Sequence, residues 1–348
     1  MKYDILKYRK ILYTILFIID LEIFILKGEK NMKKDATRIL KRYEGNPVLD
    51  VKNYPGIAQL YNPSAVKFGD ETIVLVSIVE HAATHGVGRD VGQTRIARSK
   101  DGIHFELSDE DFIYAPEDLP RAELYHHFID NRVTKIDDTY YIVTPVMVNG
   151  YQCPVGMLGK TKDFKTYEPI DIITAPPNRG ASIFPEKING KYYKLDRPGS
   201  GNSHADIWIS ASEDLVHWGE FKPVLAPNYR FWNTDKIGPT PPIKTSKGWL
   251  VITHGVFTPA GGTTYYLGAM LLDLEKPWEI IGKTNSYILA PEMTYERHGN
   301  CDNTVFACGA IGDEETDELT LYYGACDQYI CLAKGSLSEM VQACIDEI

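Results

Sequence analysis

The sequence comprises 348 residues, of which 44% are hydrophobic, 24% charged and 11% aromatic. This composition is typical of a folded protein with a substantial core, and it excludes both a disordered chain and a small disulfide-stapled scaffold. The 37 basic and 47 acidic side chains leave a net charge of −10, which repels polyanions and argues against a nucleic-acid partner, so any anion site must be local.

The N-terminal region contains an apolar stretch, residues 11–26, preceded by Lys7, Arg9 and Lys10. Asp20 and Glu22 interrupt it, it is shorter than the ~20 apolar residues of a membrane-spanning helix, and no small-residue cleavage site follows. Met32 then offers a second start. We predict that residues 1–31 are an extension outside the working protein and that residues 32–348 form one catalytic domain. A membrane anchor is the alternative, although no membrane partner is expected.

Short runs rich in Val, Ile, Tyr and Thr, bounded by Gly, Pro, Asn and Asp, fill the chain from Met32 onward, as is typical of β-strands. The clearest runs are residues 72–79, 139–146, 191–195, 207–211, 249–253, 265–272 and 319–323. Near the C-terminus, residues 337–345 indicate a short amphipathic helix, with Ser336 and Glu339 at capping-box spacing. We predict an all-β fold with this helix packed on its side.

A repeat divides the chain into five units that open at residues 62, 130, 184, 241 and 303, with steps of 54 to 68 residues. Several strands per unit are typical of propeller blades, because radial repetition leaves only short edges unpaired. Asp101, Asp163 and Asp214 stand in short turns that precede an aromatic or apolar residue. The pattern predicts a five-bladed β-propeller in which these three aspartates shape turns and do not catalyse.

The cysteines show no C-x-x-C spacing, and four of them stand in apolar or aromatic runs. This pattern predicts buried free thiols in a reducing compartment, hence a cytoplasmic protein, and no metal site. The six are Cys153, Cys301, Cys308, Cys326, Cys331 and Cys344.

Charged residues are concentrated at the openings of the units. A propeller arranges its blades around a central channel, so residues at these openings should meet there. Arg179, Arg197 and Lys236 predict a recessed anion pocket, since arginine contacts phosphate in a bidentate manner and lysine acts as a point charge. An equally weighted alternative pairs each cation with a nearby carboxylate, for example Arg197 with Asp196 or Lys236 with Asp235.

At these residues the sequence resembles glycoside hydrolase family 130, the β-mannoside phosphorylases, which are five-bladed propellers. The resemblance runs from residue 46 to residue 337, and its most specific part extends from Asn178-Arg179-Gly through Phe184-Pro185-Glu186 to Arg197-Pro198. Further matches follow in the family's order: Lys236-Ile-Gly-Pro-Thr-Pro-Pro-Ile243, Gly248-Trp-Leu250, His254-Gly-Val256, Tyr266-Leu-Gly-Ala-Met-Leu-Leu-Asp273, Tyr295-Glu296 and Tyr323-Gly-Ala-Cys-Asp327.

The resemblance implies phosphorolysis of a β-mannosidic bond with inversion, which yields α-mannose 1-phosphate and a shortened sugar. It implies Asp130 as the catalytic acid, and it implies a phosphate cradle made of Arg179, Arg197, Lys236 and His254. Sugar-binding candidates at matched positions and unit openings are Asn62, Arg132, Tyr295, Glu296 and Asp327. The implied partners are a β-mannoside oligosaccharide and inorganic phosphate as co-substrate, without metal or another cofactor. Because some relatives are oligomers, a homo-oligomer is a further expectation.

This set of residues also suits the chemistry. An inverting hydrolase needs two carboxyl groups, one as acid and one to activate water. A phosphorylase needs only the acid, because phosphate arrives ionised and cations can hold it in line and offset its charge. To donate a proton near neutral pH, Asp130 must be protonated, so we expect burial to raise its pKa.

Two alternatives remain open on the sequence: an inverting β-mannosidase with Glu80 or Glu296 as base, and a sugar-binding propeller without catalysis. They are prompted by departures from the family pattern. Asn131 follows Asp130 where most members have proline, and Asp196 stands where histidine is common. The sequence leaves open a β-1,4 or β-1,2 linkage and the acceptor sugar. It also leaves open whether the loop at residues 81–95 caps an acceptor site or is a plain surface loop.

Overall fold

The computed structural model describes residues 35–81, 91–119, 125–148, 154–199, 205–228 and 232–347. Those residues belong to one unit, Asp35–Ile348. The extension predicted over residues 1–31, most of the loop at residues 81–95, and Cys153 lie outside the described residues. Within the part of the chain that is described, no helix has both the length and the apolar character needed to cross a membrane.

The described chain folds into five antiparallel sheets. Two 3-10 turns, Ala36–Arg38 and Val51–Asn53, flank the first two strands, β1 (Lys41–Arg42) and β2 (Leu49–Asp50). The first sheet contains β3 (Ile57–Phe68), β4 (Glu71–Glu80), β5 (Val91–Ser99) and β6 (Glu106–Asp111). The second contains β7 (Tyr125–His126), β8 (Arg132–Ile136), β9 (Thr139–Val148), β10 (Pro154–Thr161) and β11 (Glu168–Ile172).

The third sheet contains β12 (Ser182–Ile183), β13 (Tyr192–Asp196), β14 (Ile207–Ser212) and β15 (Gly219–Leu225). The fourth contains β16 (Lys236–Pro239), β17 (Ile243–Thr245), β18 (Gly248–Phe257), β19 (Thr264–Leu272) and β20 (Ile280–Lys283). A one-turn helix, α1 (Thr294–Arg297), precedes the strands β21 (Val305–Phe306), β22 (Ile311–Asp313), β23 (Glu318–Ala325) and β24 (Tyr329–Ser336) of the fifth sheet, and α2 (Leu337–Asp346) ends the chain. The predicted all-β, five-bladed propeller is confirmed.

Both ends of the described chain contribute to the fifth sheet. Strands β1 and β2 pair antiparallel with β24, so that Lys41 lies opposite Lys334 and Leu49 opposite Ile330. This pairing closes the ring and covers the backbone edge of β24, which would otherwise be open to pairing with another chain. The sequence predicted the fifth unit only from residue 303 onward and did not assign these two N-terminal strands to it.

The central strands are buried on both faces, because each sheet packs between two neighbours. Along β4, Ile73 and Leu75 pack in a cluster with residues of the second sheet such as Ile142. The alternate residues Val74 and Val76 pack in a different cluster with residues of the fifth sheet. Alternation of side chains along a strand therefore sends successive residues to opposite interfaces. It explains why the strand reads as a nearly continuous apolar run.

The predicted turn aspartates accept backbone hydrogen bonds within their turns. Asp101 accepts from the N–H groups of residues 103 and 104, Asp163 from those of 165 and 166, and Asp214 from those of 216 and 217. Asp273 does the same in the fourth sheet. The prediction of a structural role is confirmed, since all four side chains shape the hairpin between the last two strands of a blade.

The predicted C-terminal helix is also confirmed. Ser336 caps α2 by accepting a hydrogen bond from the N–H of Glu339 at 3.0 Å. The helix buries Leu337, Met340 and Val341 against the cluster formed by the fourth and fifth sheets. It therefore packs on the side of the propeller and does not approach the channel.

Candidate active site

A cavity of about 350 Å³ lies where the inner strands of the five sheets converge. Each sheet or its preceding loop contributes to the wall. The lining residues are Tyr61, Asn62, Asp130, Met147, Pro154, Arg179, Arg197, Gly199, Ala205, Lys236, His254, Tyr265, Cys301, Thr304, Phe306 and Asp327. The structure thus brings together seven of the ten residues that the sequence singled out for catalysis or binding.

Asp130 is fixed at the wall of this cavity with only 3% of its surface exposed. One carboxylate oxygen accepts a hydrogen bond from Asn62 Nδ2 at 2.5 Å, and the other accepts from Arg179 Nε at 2.8 Å. Its backbone N–H donates to Ser77 Oγ at 2.9 Å, and Arg132 donates to its carbonyl oxygen. The carboxylate therefore has a defined position between the first and third sheets.

Three cavity residues adopt left-handed backbone: Asn62 at φ 47°, Asp130 at φ 58° and Asp327 at φ 54°. Asn and Asp are the non-glycine residues that enter this region most readily, yet it remains a sparsely populated conformation for them. Such conformations cluster at functional sites, where the surrounding fold imposes them. Their occurrence in three different sheets or the loops beside them supports a functional assignment of the cavity.

The pKa of Asp130 corrects one expectation from the sequence. Burial acts to raise this pKa, as expected. The positive charges of Arg179 and Arg132, with the hydrogen bonds from Asn62 and Arg179, act in the opposite direction and hold the pKa of Asp130 below its ordinary value. These contacts therefore favour the ionised form of the Asp130 carboxyl group.

The basic residues around the cavity repel one another. Burial, followed by the charges of Arg179 and Arg132, lowers the pKa of Arg197 to about 10. Burial and the charges of Arg197 and Arg179 likewise lower the pKa of Lys236. Burial and the same cations hold the pKa of His254 well below its ordinary value, so this imidazole is neutral. A pocket that concentrates positive charge away from water is suited to a bound anion.

Two buried nitrogen atoms in this pocket lack hydrogen-bond partners among the described residues, Arg197 Nε and His254 Nδ1. Buried polar groups are normally paired, so each such atom requires an explanation. The alternative pairing of Arg197 with Asp196 does not occur, because Asp196 is bound by Lys194, whose ammonium lies 2.6 Å from both carboxylate oxygens. The field at Lys236 is likewise dominated by arginines, with Asp235 a smaller opposing influence. The anion-pocket interpretation is therefore favoured.

The family model described as beta-1,4-mannooligosaccharide phosphorylase matches residues 28–346. The chain belongs to glycoside hydrolase family 130. It is 31% identical over 313 residues to the beta-1,4-mannooligosaccharide phosphorylase of Ruminococcus albus, covering 88% of this chain and 91% of that one. It is 39% identical over 250 residues to a beta-1,2-mannobiose phosphorylase of Listeria innocua, covering 71% and 67% respectively.

A solved structure of beta-1,2-mannobiose phosphorylase from Listeria innocua, in complex with beta-1,2-mannobiose, is similar to this family 130 protein. The TM-score is 0.77 at 30% identity, and the match covers 88% of this chain and 99% of that one. The family resemblance and the propeller fold predicted from the sequence are both confirmed by these similarities.

Glu296 does not reach the cavity of this family 130 protein, and we reassign it to a structural role. It is fully buried, and its two oxygens accept hydrogen bonds from Arg42, from the Tyr323 hydroxyl and from the N–H groups of Glu292 and Met293. No acceptor is left for a sugar, and the carboxylate is not placed to act on water. The same position excludes it as the base of the hydrolase alternative.

Tyr295 and Arg132 also lie outside the cavity lining. Tyr295 packs against Tyr329, with ring centroids 6.3 Å apart, beside the core cluster of the fifth sheet. Arg132 is 1% exposed and lies beneath the wall, where it binds the Asp130 carbonyl oxygen. Neither residue lines the cavity, in contrast to the predicted sugar contacts, and only Arg132 contacts a residue of the cavity wall.

Asp327 joins Asp130 as a second carboxyl group of the cavity lining. Burial and the negative charge of Asp130 raise the pKa of Asp327 to about 6, against the opposing influence of Arg179. Glu80, the other candidate base of the hydrolase alternative, is paired with Arg95 and does not line the cavity. Two carboxyl groups with pKa values shifted in opposite directions thus share this pocket.

Sequence reasoning missed most of the uncharged lining, including Tyr61, Met147, Tyr265, Thr304 and Phe306. Tyr61 could have been found, because it precedes Asn62 directly at a unit opening. Phe306 lies three residues after the fifth opening, and its ring packs against the His254 ring at a tilt of 39°, with centroids 4.4 Å apart. Aromatic residues at such positions give the cavity apolar surfaces suited to sugar rings.

Proposed function

We propose that this protein is an inverting β-mannoside phosphorylase that converts a β-mannoside and inorganic phosphate into α-mannose 1-phosphate and a shortened sugar. The observation that carries the proposal is the position of the Asp130 carboxylate, which shares one cavity with four basic residues, two of which, Arg197 and His254, each have a buried nitrogen without a partner among the described residues. Arg179, Arg197 and Lys236 supply positive charge, and neutral His254 supplies a ring nitrogen. Such an arrangement is suited to an ionised nucleophile that needs orientation and charge neutralisation.

In the proposed reaction, a phosphate oxygen attacks the anomeric carbon on the face opposite the leaving sugar. The bond from that carbon to the glycosidic oxygen breaks, and the leaving oxygen receives the proton of Asp130, either directly or through a sugar hydroxyl. Attack on the opposite face inverts the configuration from β to α. No second carboxylate is required as a base, which agrees with the engagement of Glu80 and Glu296 in ion pairs. We assign Asp327, the second carboxyl group of the cavity, to sugar binding.

Arg179 has a double role in this proposal because it binds Asp130 and faces the phosphate pocket. Without an anion, its charge favours the ionised carboxylate. A phosphate dianion in the cradle offsets the positive charges around Asp130, so the carboxyl group can hold the proton that it later donates.

For the linkage, we propose a preference for β-1,2-mannosides. The support is similarity: identity is 39% with a relative named for the β-1,2 linkage and 31% with one named for the β-1,4 linkage, although the former match covers less of the chain. The structural match also carries a β-1,2-mannobiose name.

The test is a product assay by anomeric-proton NMR with β-1,2-mannobiose and β-1,4-mannobiose, each with and without phosphate. We expect α-mannose 1-phosphate only when phosphate is present, with faster turnover of the β-1,2 substrate. Equal release of mannose in the absence of phosphate would overturn the phosphorylase proposal and favour the hydrolase. Faster turnover of the β-1,4 substrate would overturn only the proposed linkage. Binding of both sugars without cleavage would point to a non-catalytic propeller.

A further inference from the structure

A buried ion pair between Lys194 and Asp196 lies in the third sheet, next in sequence to the cavity residue Arg197. Lys194 and Asp196 are two residues apart on β13, so their side chains share one face of the strand. They are 1% and 3% exposed. Ser210, directly opposite Lys194 on β14, accepts from the ammonium at 2.9 Å and donates to Asp196 Oδ2 at 2.7 Å.

The Asp196 carboxylate is fully occupied by this network. One oxygen accepts from Lys194 and from Asn178 Nδ2 at 3.0 Å, and the other accepts from Lys194 and Ser210. Because the charge of Lys194 balances that of Asp196, Asp196 does not need Arg197 as its counter-charge, and Arg197 lines the cavity. Replacing a buried ion pair with apolar residues is often neutral or stabilising, so its presence is weak evidence of a role in stability alone.

Asn178 connects the ion pair to the cavity. An ionised carboxylate only accepts hydrogen bonds, so the NH₂ group of the Asn178 amide points toward Asp196 and the amide oxygen points away from it. That oxygen lies 3.4 Å from the backbone nitrogens of both Gly180 and Arg197. A single side chain thus joins the loop that carries Arg179 to the strand end that carries Arg197.

The packing around this connection is close. A Cβ atom added at Gly180 would lie 3.2 Å from Arg197 Cβ and 3.3 Å from its Nε, so this glycine lets the two chain segments approach. The N–H of Arg179 also points to the carbonyl oxygen of Arg197 at 3.4 Å. The relative position of the two guanidinium groups therefore depends on the segments that Asn178 joins.

We infer that Lys194, Asp196 and Asn178 are positioning residues, which hold Arg179 and Arg197 in the geometry that phosphate requires. None of the three touches the reacting atoms in this assignment. The inference rests on the proposed function, because it assigns the network to the phosphate side of the same site. It predicts that disruption weakens phosphate binding selectively.

The principal variant is Asn178→Ala, which breaks the connection and leaves the contacts among Lys194, Asp196 and Ser210 in place. The variant loses three hydrogen bonds, two of which are long at 3.4 Å, and should raise the KM for phosphate about 5- to 30-fold. The KM for the mannoside and the kcat at saturating phosphate should stay within about twofold of wild type. Ser210→Ala is the matched control, because it removes a contact to the same ion pair without touching Asn178; its phosphate KM should remain that of the wild type.

A second variant removes the ion pair as a pair, Lys194→Met with Asp196→Asn, since Asp196→Asn alone would leave a buried lysine without a counter-charge. Its amide at residue 196 no longer fixes the orientation of Asn178, so the phosphate KM should rise about 3- to 10-fold. An unchanged phosphate KM in both variants, with a lowered Tm, would reduce the network to a structural role. Failure of both to fold would also contradict the inference, which expects folded proteins.

The proposed function is tested separately, on the wild-type protein. If the wild type cleaves no mannoside in a phosphate-dependent manner, the proposed function fails. Calorimetric titration of the wild type, Asn178→Ala and Ser210→Ala with inorganic phosphate then decides whether the network positions an anion site. Weaker phosphate binding in Asn178→Ala than in Ser210→Ala would support it, and equal binding would overturn it.

Discussion

Arg179 Nε lies 2.8 Å from Asp130 Oδ2, so the proposed acid and a proposed phosphate ligand form one ion pair at the cavity wall. The carboxylate is buried, whereas 42% of the arginine side chain is exposed. The guanidinium can therefore meet an anion without leaving Asp130. This relationship makes the charge state of Asp130 depend on what occupies the phosphate pocket.

Replacement of the proposed acid, Asp130, should affect cleavage and phosphate binding in opposite directions. In Asp130→Asn, loss of the proton donor should reduce kcat about 10²- to 10⁴-fold. Removal of the negative charge beside Arg179 should at the same time tighten phosphate binding, because the cavity becomes more positive. NMR of α-mannose 1-phosphate formation measures the first effect, and calorimetry with phosphate measures the second. Retained cleavage would mean that the acid is another residue, with Asp327 the next to test.

The stability of the protein should depend on pH through the same ion pair. The pKa of Asp130 is lower in the folded protein than the value of about 4 for an unfolded aspartate. The stabilising contribution is thus complete above pH of about 4 and is lost as the pH falls through the folded-state pKa. Because 42% of the Arg179 side chain is exposed and its charge stays hydrated, we expect Asp130→Asn to be less stable than the wild type at pH 7 by about 1–3 kcal/mol, and the difference to shrink below pH 4.

Urea unfolding between pH 3 and pH 7 measures this difference. Asp163→Asn is a suitable control for a turn carboxylate, since hydrogen bonds from Thr166 and Lys165 lower the pKa of Asp163 to about 2 without a nearby guanidinium among the causes. A difference between wild type and Asp130→Asn that stays constant over this pH range would contradict the assignment of an ionised, paired Asp130.

The basic residues of the cavity should control the requirement for phosphate. Arg197→Ala or Lys236→Ala removes one charged hydrogen-bond donor, which is worth about 1.5–3 kcal/mol, so the KM for phosphate should rise about 10- to 150-fold. The KM for the mannoside should change much less. Lys244→Ala is the matched control, because Lys244 is half-exposed and pairs with Glu186 at 2.7 Å outside the cavity. An effect on the mannoside KM alone would contradict the phosphate assignment.

The fold could be predicted because its signals are local and repeated. Strand composition, the turn aspartates and the helix cap each act within a few residues, and all recur in the structure. The pairing of Lys41–Arg42 with the last strand could not be predicted, because two charged residues carry no alternating pattern. Their place in the sheet depends on ring closure, which is a long-range event.

The sequence predicted most of the residues that share the site, but it did not predict the electrostatic environment that sets their pKa values. The sequence, through the unit openings and the family resemblance together, predicted that Asp130, Arg179, Arg197 and Lys236 share a site, but it could not count the donors around a carboxylate. It therefore gave the wrong direction for the pKa of Asp130, where two arginines outweigh burial. Nor could it tell that Glu296, close in sequence to a unit opening, points toward Arg42 and away from the channel.

Arg42 and Glu296 connect the N-terminal strand to the fifth sheet's preceding helix, and their disruption should affect stability but not catalysis. Arg42 Nε lies 2.8 Å from Glu296 Oε1, and the glutamate is fully enclosed. Arg42→Ala leaves that carboxylate buried without a counter-charge, which should lower the free energy of unfolding by about 3–5 kcal/mol.

In the same variant, phosphorolysis below the unfolding temperature should retain the wild-type KM for both substrates, because neither residue lines the cavity. Arg38→Ala is the control: its exposed pair with Asp35 should contribute less than about 1 kcal/mol. Chemical denaturation and steady-state kinetics on the three proteins measure both quantities. A raised mannoside KM in folded Arg42→Ala would support a sugar-binding role for Glu296 and contradict the structural one. An unchanged free energy of unfolding would show that ring closure does not depend on this ion pair.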